Sequence, residues 1–160
     1  MRLPSILETL RKLSQTFDRL HVDHMLIGGY ALPAYGLLRA TVDIDVAIAI
    51  RPSGYAHLEK ELKNAGFQVS SFSEETPCFV ATDVKAAVEI EVWTKPDGIL
   101  IDQECLRRRR KRKIGGIDFW IVGPEHFIVN KLSRKDRRFQ DEADVLSVLV
   151  NTELTLDTPF

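Results

Sequence analysis

Cysteine is scarce in this 160-residue chain: only Cys78 and Cys105 are present, far apart and with no CxxC pair. That excludes a disulfide scaffold and a zinc knuckle, and it fits a reducing cytoplasm. No apolar run approaches the roughly 20 residues that span a bilayer. The first residues carry Arg2, Glu8, Arg11 and Lys12 with no apolar core between them, so no leader segment is expected there. There is also no excess of one charge, with 22 Lys and Arg against 23 Asp and Glu, a formal net charge of −1. Internal repeats are absent. Hydrophobic residues at 44% and charged residues at 28% exclude disorder. The length suits one domain over residues 1–150 with a short C-terminal tail at 151–160.

The near-neutral average hides one concentration. Residues 107–113 read RRRRKRK, seven cations in succession, which leaves the rest of the chain distinctly acidic. Clustered Lys and Arg release counterions from phosphates, so Arg107, Arg108, Arg109, Arg110, Lys111, Arg112 and Lys113 are a candidate nucleic-acid contact. A solvated helix end beside an acidic body is the equally weighted alternative.

The apolar spacing predicts a helix over 5–20, a strand over 24–27 and a brief helix over 30–35 closed by Gly36. A strand over 42–50, a helix over 54–65 ended by Gly66, and a strand over 67–72 follow. Two further strands are expected at 78–81 and 86–94, with the turn at Thr82-Asp83. Lys95-Pro96-Asp97-Gly98 reads as a turn. The basic block is expected on a helix broken by Gly115-Gly116, before a strand over 117–122. Two helices complete the pattern, one from Gly123-Pro124 with Phe127, Ile128 and Leu132 inward, the other over 138–150 with Val145, Leu146, Leu149 and Val150 as its apolar side. Helices interleave with strands, but the middle is a strand meander. The expected fold class is therefore α+β, one mixed sheet flanked by helices.

Carboxylates carry the chemistry. Residues two apart on a strand share a face, so Asp43 and Asp45 point together while Ile44, Val46 and Ile48 point the other way. Side-by-side carboxylates repel and resist burial, and a hard cation such as Mg²⁺ offsets that. A solvated sheet face is the plainer reading. Glu89 and Glu91 repeat the geometry in Val88-Glu89-Ile90-Glu91-Val92. An antiparallel pairing of the two strands is expected to bring Glu91 near Asp43 or Asp45, and Ala47 near Ala87. Gly28-Gly29 lies between a strand and a helix, where backbone N–H groups favour an anion; a plain tight turn also explains it. His21 and His24 flank a helix end without a third ligand at metal spacing. Trp93 and Trp120 are read as core or rim. Asp141 and Asp144, one helical turn apart, are expected to pair with Arg137 or Arg138.

Taken together, Leu26-Ile27-Gly28-Gly29-Tyr30-Ala31-Leu32, Tyr35-Gly36 and Arg39-Ala40-Thr41-Val42-Asp43-Ile44-Asp45-Val46 resemble the nucleotidyltransferase superfamily typified by DNA polymerase beta. They are most similar to its minimal bacterial and archaeal members of the abortive-infection AbiEii toxin type. Pro124-Glu125-His126-Phe127-Ile128-Val129-Asn130-Lys131-Leu132 resembles the family's lysine-bearing helix, and Gln140-Asp141-Glu142-Ala143-Asp144-Val145 its closing acidic helix. The resemblance implies a nucleoside triphosphate and two Mg²⁺ (or Mn²⁺) ions held by Asp43, Asp45 and Glu91, with Glu89 as the reserve third acid. Gly28 and Gly29 would hold the triphosphate, Arg39 and Lys131 would be cations near it, and Thr41 would support the strand or the nucleotide. The third acid of the family is more often Asp. The implied activity is transfer of a nucleoside monophosphate to an acceptor that is a nucleic acid such as tRNA, a protein or a small molecule, in a toxin–antitoxin pair. The competing expectation is a catalytically silent module of the same fold, acting as antitoxin, partner subunit or nucleic-acid adaptor.

Overall fold

The computed structural model describes residues 3–37, 43–98 and 101–151. Helix α1 (Leu3–Arg19) leads into strand β1 (Asp23–Ile27) and a 3₁₀ helix over Gly28–Tyr35. Strand β2 (Asp45–Ala49), helix α2 (Tyr55–Asn64) and strands β3 (Phe67–Val69), β4 (Cys78–Asp83) and β5 (Val88–Trp93) follow. Helix α3 (Gln103–Arg108), strands β6 (Arg110–Ile114) and β7 (Ile117–Ile121), and helices α4 (Pro124–Ser133) and α5 (Phe139–Leu149) complete the order. The strands form one seven-stranded mixed sheet in the order β3-β4-β5-β2-β1-β7-β6. The α+β expectation is met: a mixed sheet with helices packed on it.

The amphipathic period of α1 explains its seat. Leu7, Leu10, Leu13 and Phe17 are all buried, and each recurs on the same face after three or four residues. In β5 the alternation does the same work, burying Val88, Ile90 and Val92 and turning Glu89 and Glu91 outward. The core gathers Phe17, Met25, Ile48, Leu58, Leu62, Phe79, Ile90 and Ile121 around the middle of the sheet. Asp83 ties α1 to the end of β4. It accepts from Thr9 Oγ1 at 3.1 Å and pairs with Lys12 Nζ at 2.7 Å.

Four expectations change. First, β2 and β5 pair in parallel, with Asp45 opposite Glu91 and Ala47 opposite Trp93, so Ala47 does not meet Ala87. The chain leaves β2 through α2 and the β3-β4 hairpin before returning, which is the long crossover a parallel pair needs. Second, the basic block is not one helix. Arg107 and Arg108 end α3, and Arg110 to Lys113 form the outer strand of a hairpin with β7. Gly115 and Gly116 both have positive φ, at 57° and 82°, so they form its two-residue turn rather than stop a helix. Third, the turn before β5 falls at residues 84–87. Asp83 Oδ1 accepts from the N–H groups of Lys85 and Ala86, which fixes it there. Fourth, only part of the apolar sides of α4 and α5 is inward. Phe127 and Val145 are buried, whereas Leu132, Leu146, Leu149 and Val150 are exposed. No helix among the described residues is long and apolar enough to cross a membrane.

Candidate active site

Strand pairing builds the first wall of the site. Ile27 of β1 lies opposite Asp45 of β2, and Asp45 lies opposite Glu91 of β5. The turn after β1 therefore sits beside Asp45. At Gly28 φ is +68°, and a Cβ there would meet Asp45 Oδ2 at 2.9 Å. Only glycine gives both the left-handed backbone and that close approach. Asp43, exposed, and Asp45, half-buried, flank the buried Ile44, as the alternation requires.

Asp45 carries opposed influences. Burial pushes its carboxyl up to about 7, the hydrogen-bonding Glu91 carboxyl raises it too, and the charges of Glu91 and Asp43 add to this. Trp93 opposes the rise, because its indole Nε1–H donates to Asp45 Oδ1 at 3.0 Å. Nothing in the spacing of the sequence singled out Trp93 for this contact. Its position two residues beyond Glu91 on the same strand face was the available signal.

The second wall comes from the α4–α5 corner. One cleft of about 250 Å³ is lined by Gly28, Asp43, Asp45, Glu91 and Trp93 on the sheet side, and by Asn130, Lys131, Arg134 and Arg138 on the helix side. Lys131 is buried, with Nζ 3.1 Å from both Asp141 Oδ1 and Asp144 Oδ2. Arg134 reaches Asp141 Oδ1 at 3.3 Å, and the Arg138 side chain lies 3.7 Å from Asp141 Oδ2. Burial pushes the Asp141 carboxyl up. The N–H of Arg138 and the Lys131 ammonium, with Arg134, outweigh that and hold it below the usual range. Asp141 thus does pair with Arg138, while Asp144 is served by Lys131 and by Gln140 at 2.9 Å.

Gly28, Asp43, Asp45, Glu91 and Lys131 therefore line a single cleft. Gly29 is buried in the first turn of the 3₁₀ helix, and Glu89 lies in an adjoining hollow that also reaches Asp43 and Glu91. Arg39 and Thr41 lie outside the described residues. The basic strand β6 is three strands away from β2, at the sheet edge, and shares nothing with the cleft. There Arg109 lies over the Trp120 ring at 4.2 Å and Lys111 at 5.4 Å.

The acidic wall consists of hard oxygen donors, the chemistry that Mg²⁺ or Mn²⁺ takes. The repulsion that raises Asp45 is of the kind a divalent cation relieves. The donor types fit such an ion. Among the described residues, no three metal-ligating side chains already converge on one point, so the geometry is a carboxylate pair with a third acid beside it.

Residues 6–159 match the sequence model of a protein family described as "Nucleotidyl transferase of unknown function (DUF2204)". No curated protein matches the chain. Similar solved structures include the lincosamide antibiotic adenylyltransferase LnuA with lincomycin bound. It is 11% identical with a TM-score of 0.62, covering 95% of this chain and 99% of that one. ANT(2")-Ia in complex with adenylyl-2"-tobramycin is 14% identical with a TM-score of 0.58, covering 88% of this chain and 86% of that one. An antigenic nucleotidyltransferase-like protein from Paracoccidioides brasiliensis is 22% identical with a TM-score of 0.57, covering 89% and 75%. At these identities the likeness shows the fold.

Proposed function

This chain belongs to the nucleotidyl transferase family whose model it matches over residues 6–159, and from that premise we propose that it transfers a nucleoside monophosphate from a nucleoside triphosphate to an acceptor hydroxyl in the cleft between β2, β5 and the α4–α5 corner. One observation carries the reading: a single cleft has carboxylates on one wall and cations on the other. A ligand that suits both walls is a polyphosphate accompanied by a divalent cation.

Asp45 and Glu91, with Asp43, would hold Mg²⁺ or Mn²⁺. Such an ion, when bound, stabilises charge on the reacting phosphate oxygens and acidifies an attacking hydroxyl. Gly28 leaves room for the triphosphate to approach the strand end. The attacking oxygen bonds to the α-phosphorus as the bond to pyrophosphate breaks, and Glu91 is placed to receive the hydroxyl proton. Trp93 steadies the Asp45 carboxylate. The opposite wall neutralises the departing pyrophosphate, so the chain's contribution is positioning and charge stabilisation.

The assignment to the abortive-infection toxin type rests on the Gly28-Gly29 and Asp43-x-Asp45 spacing. The reduced cysteines, Cys78 and Cys105, suit a cytoplasmic setting. A nucleic-acid acceptor is favoured by the run of cations along β6, of which Lys111, Arg112 and Lys113 are exposed. A small-molecule acceptor is favoured by analogy with the lincomycin and tobramycin in the titles of the similar structures.

The test uses each nucleoside triphosphate labelled at the α-phosphate, with Mg²⁺ or Mn²⁺, offered with RNA, protein and aminated small-molecule pools. Label is expected in one pool with release of pyrophosphate, and Asp45→Asn is expected to lower the rate at least about 100-fold. Absence of label from every pool with the wild-type chain would leave the silent module as the better reading.

A further inference from the structure

The lysine of α4 was expected to meet the phosphates, but its surroundings assign it another task. Its Nζ is 3.1 Å from each of two aspartates on α5, Asp141 and Asp144, both fully buried or nearly so. Two carboxylates already compensate that one ammonium. Lys131 is in this respect a brace between α4 and α5.

The arginines differ. Arg134 and Arg138 both line the cleft, and their side chains keep 29% and 65% of their exposure, so part of each guanidinium faces solvent. Both are anchored by the same carboxylate. Asp141 Oδ1 accepts from Arg134 Nη1 at 3.3 Å, and Oδ2 accepts the Arg138 backbone N–H at 3.0 Å, with Arg138 Nε 3.7 Å away. Asp141 is the third residue of α5, so the contact to the Arg138 N–H is also the helix's capping interaction. One buried side chain thus fixes the start of α5, the brace and the orientation of two cleft cations. A guanidinium held on one edge by a carboxylate still presents N–H donors on its other edge, in the forked geometry that suits phosphate oxygens.

We propose that Asp141 is a positioning residue that holds Arg134 and Arg138 on the cleft wall as the receptor for the β- and γ-phosphates of the nucleotide, with Lys131 committed to bracing α4 against α5. This rests on the cleft being the triphosphate site. It assigns the terminal phosphates to the helix corner and leaves the α-phosphate to the acidic wall, so affinity should depend on phosphate number through the two arginines.

Isothermal titration of ATP and AMP, each with Mg²⁺, into the full chain tests it. The readout is the ratio of the two affinities, which a merely structural role would not move in a folded variant. Wild type is expected to favour ATP. The Arg134→Gln, Arg138→Gln double variant is expected to lose at least about tenfold of that preference, because charged hydrogen bonds to phosphate are the strong ones, with AMP affinity nearly unchanged. Arg138→Lys in the Arg134 background is expected to restore only part, since lysine lacks the fork. Asp141→Asn, checked for folding by circular dichroism, is expected to reduce the preference with both arginines still present. If the double variant keeps the wild-type ratio, the arginines are not the receptor and this proposal falls, while the site reading stands. If wild type binds no nucleotide, the site reading fails and takes this proposal with it.

Discussion

Asp45 is pulled two ways: the Trp93 N–H favours its charge, and burial beside Glu91 opposes it. The balance predicts how Trp93 acts. Trp93→Phe keeps the ring and removes only the donor, so the fold should persist while Asp45 loses the contact that orients it. Mn²⁺ affinity, measured by electron paramagnetic resonance, is expected to fall about 10–100-fold, the range for a lost partner of a metal ligand. Unchanged affinity would show that the contact is incidental. At this scale the sequence was informative about which acids share a face, since alternation on a strand is geometry. It was silent about Trp93, because an indole at a strand end is as often a packing residue. The choice between Glu89 and Glu91 became a matter of register, with Glu91 opposite Asp45 and Glu89 in the neighbouring hollow.

Among the elements, α1 was legible because its four inward residues keep helical spacing, and the basic block was misread because a run of cations has no period. RRRRKRK carries neither the 3.6-residue nor the two-residue pattern, so its strand identity comes from the Gly115-Gly116 turn and from β7. Pairing direction was equally hidden, since the β2–β5 relation depends on how the chain crosses between them. The α1–β4 junction yields a pH prediction. Burial pushes the Asp83 carboxyl up, but Lys12, the Ala86 N–H and Thr9 outweigh it and hold it below its ordinary value. A carboxyl depressed in the folded state contributes stability above its unfolded pKa, and that contribution is lost as pH falls through the folded value. Thermal melts of wild type should therefore drop steeply below about pH 4. Asp83→Asn should melt lower at neutral pH, by about 1–3 kcal/mol, and its melting temperature should fall less on acidification. Parallel curves for the two proteins would exclude Asp83 from the acid response.

At the scale of the whole molecule, the cleft joins parts that are remote in the chain: the end of β1, two sheet strands and the α4–α5 corner. The resemblance of residues 26–46 to a nucleotidyltransferase pointed to the acidic wall and to Lys131. It did not reveal that Lys131 faces two aspartates, or that Arg134 and Arg138 form the rest of the basic wall. Which side of a helix corner turns toward a sheet is decided by packing, and α4 and α5 leave enough apolar residues exposed to blur the local pattern. The central claim is that the two walls together bind a triphosphate with its divalent cation. Its most direct test is calorimetric titration of ATP into wild type and the Asp43→Asn, Asp45→Asn double variant, each with Mg²⁺ and with chelator. Wild type is predicted to bind at least about tenfold more tightly with Mg²⁺ than with chelator, and the double variant to lose that dependence. Equal binding by wild type with and without the metal, unchanged in the double variant, would contradict the account.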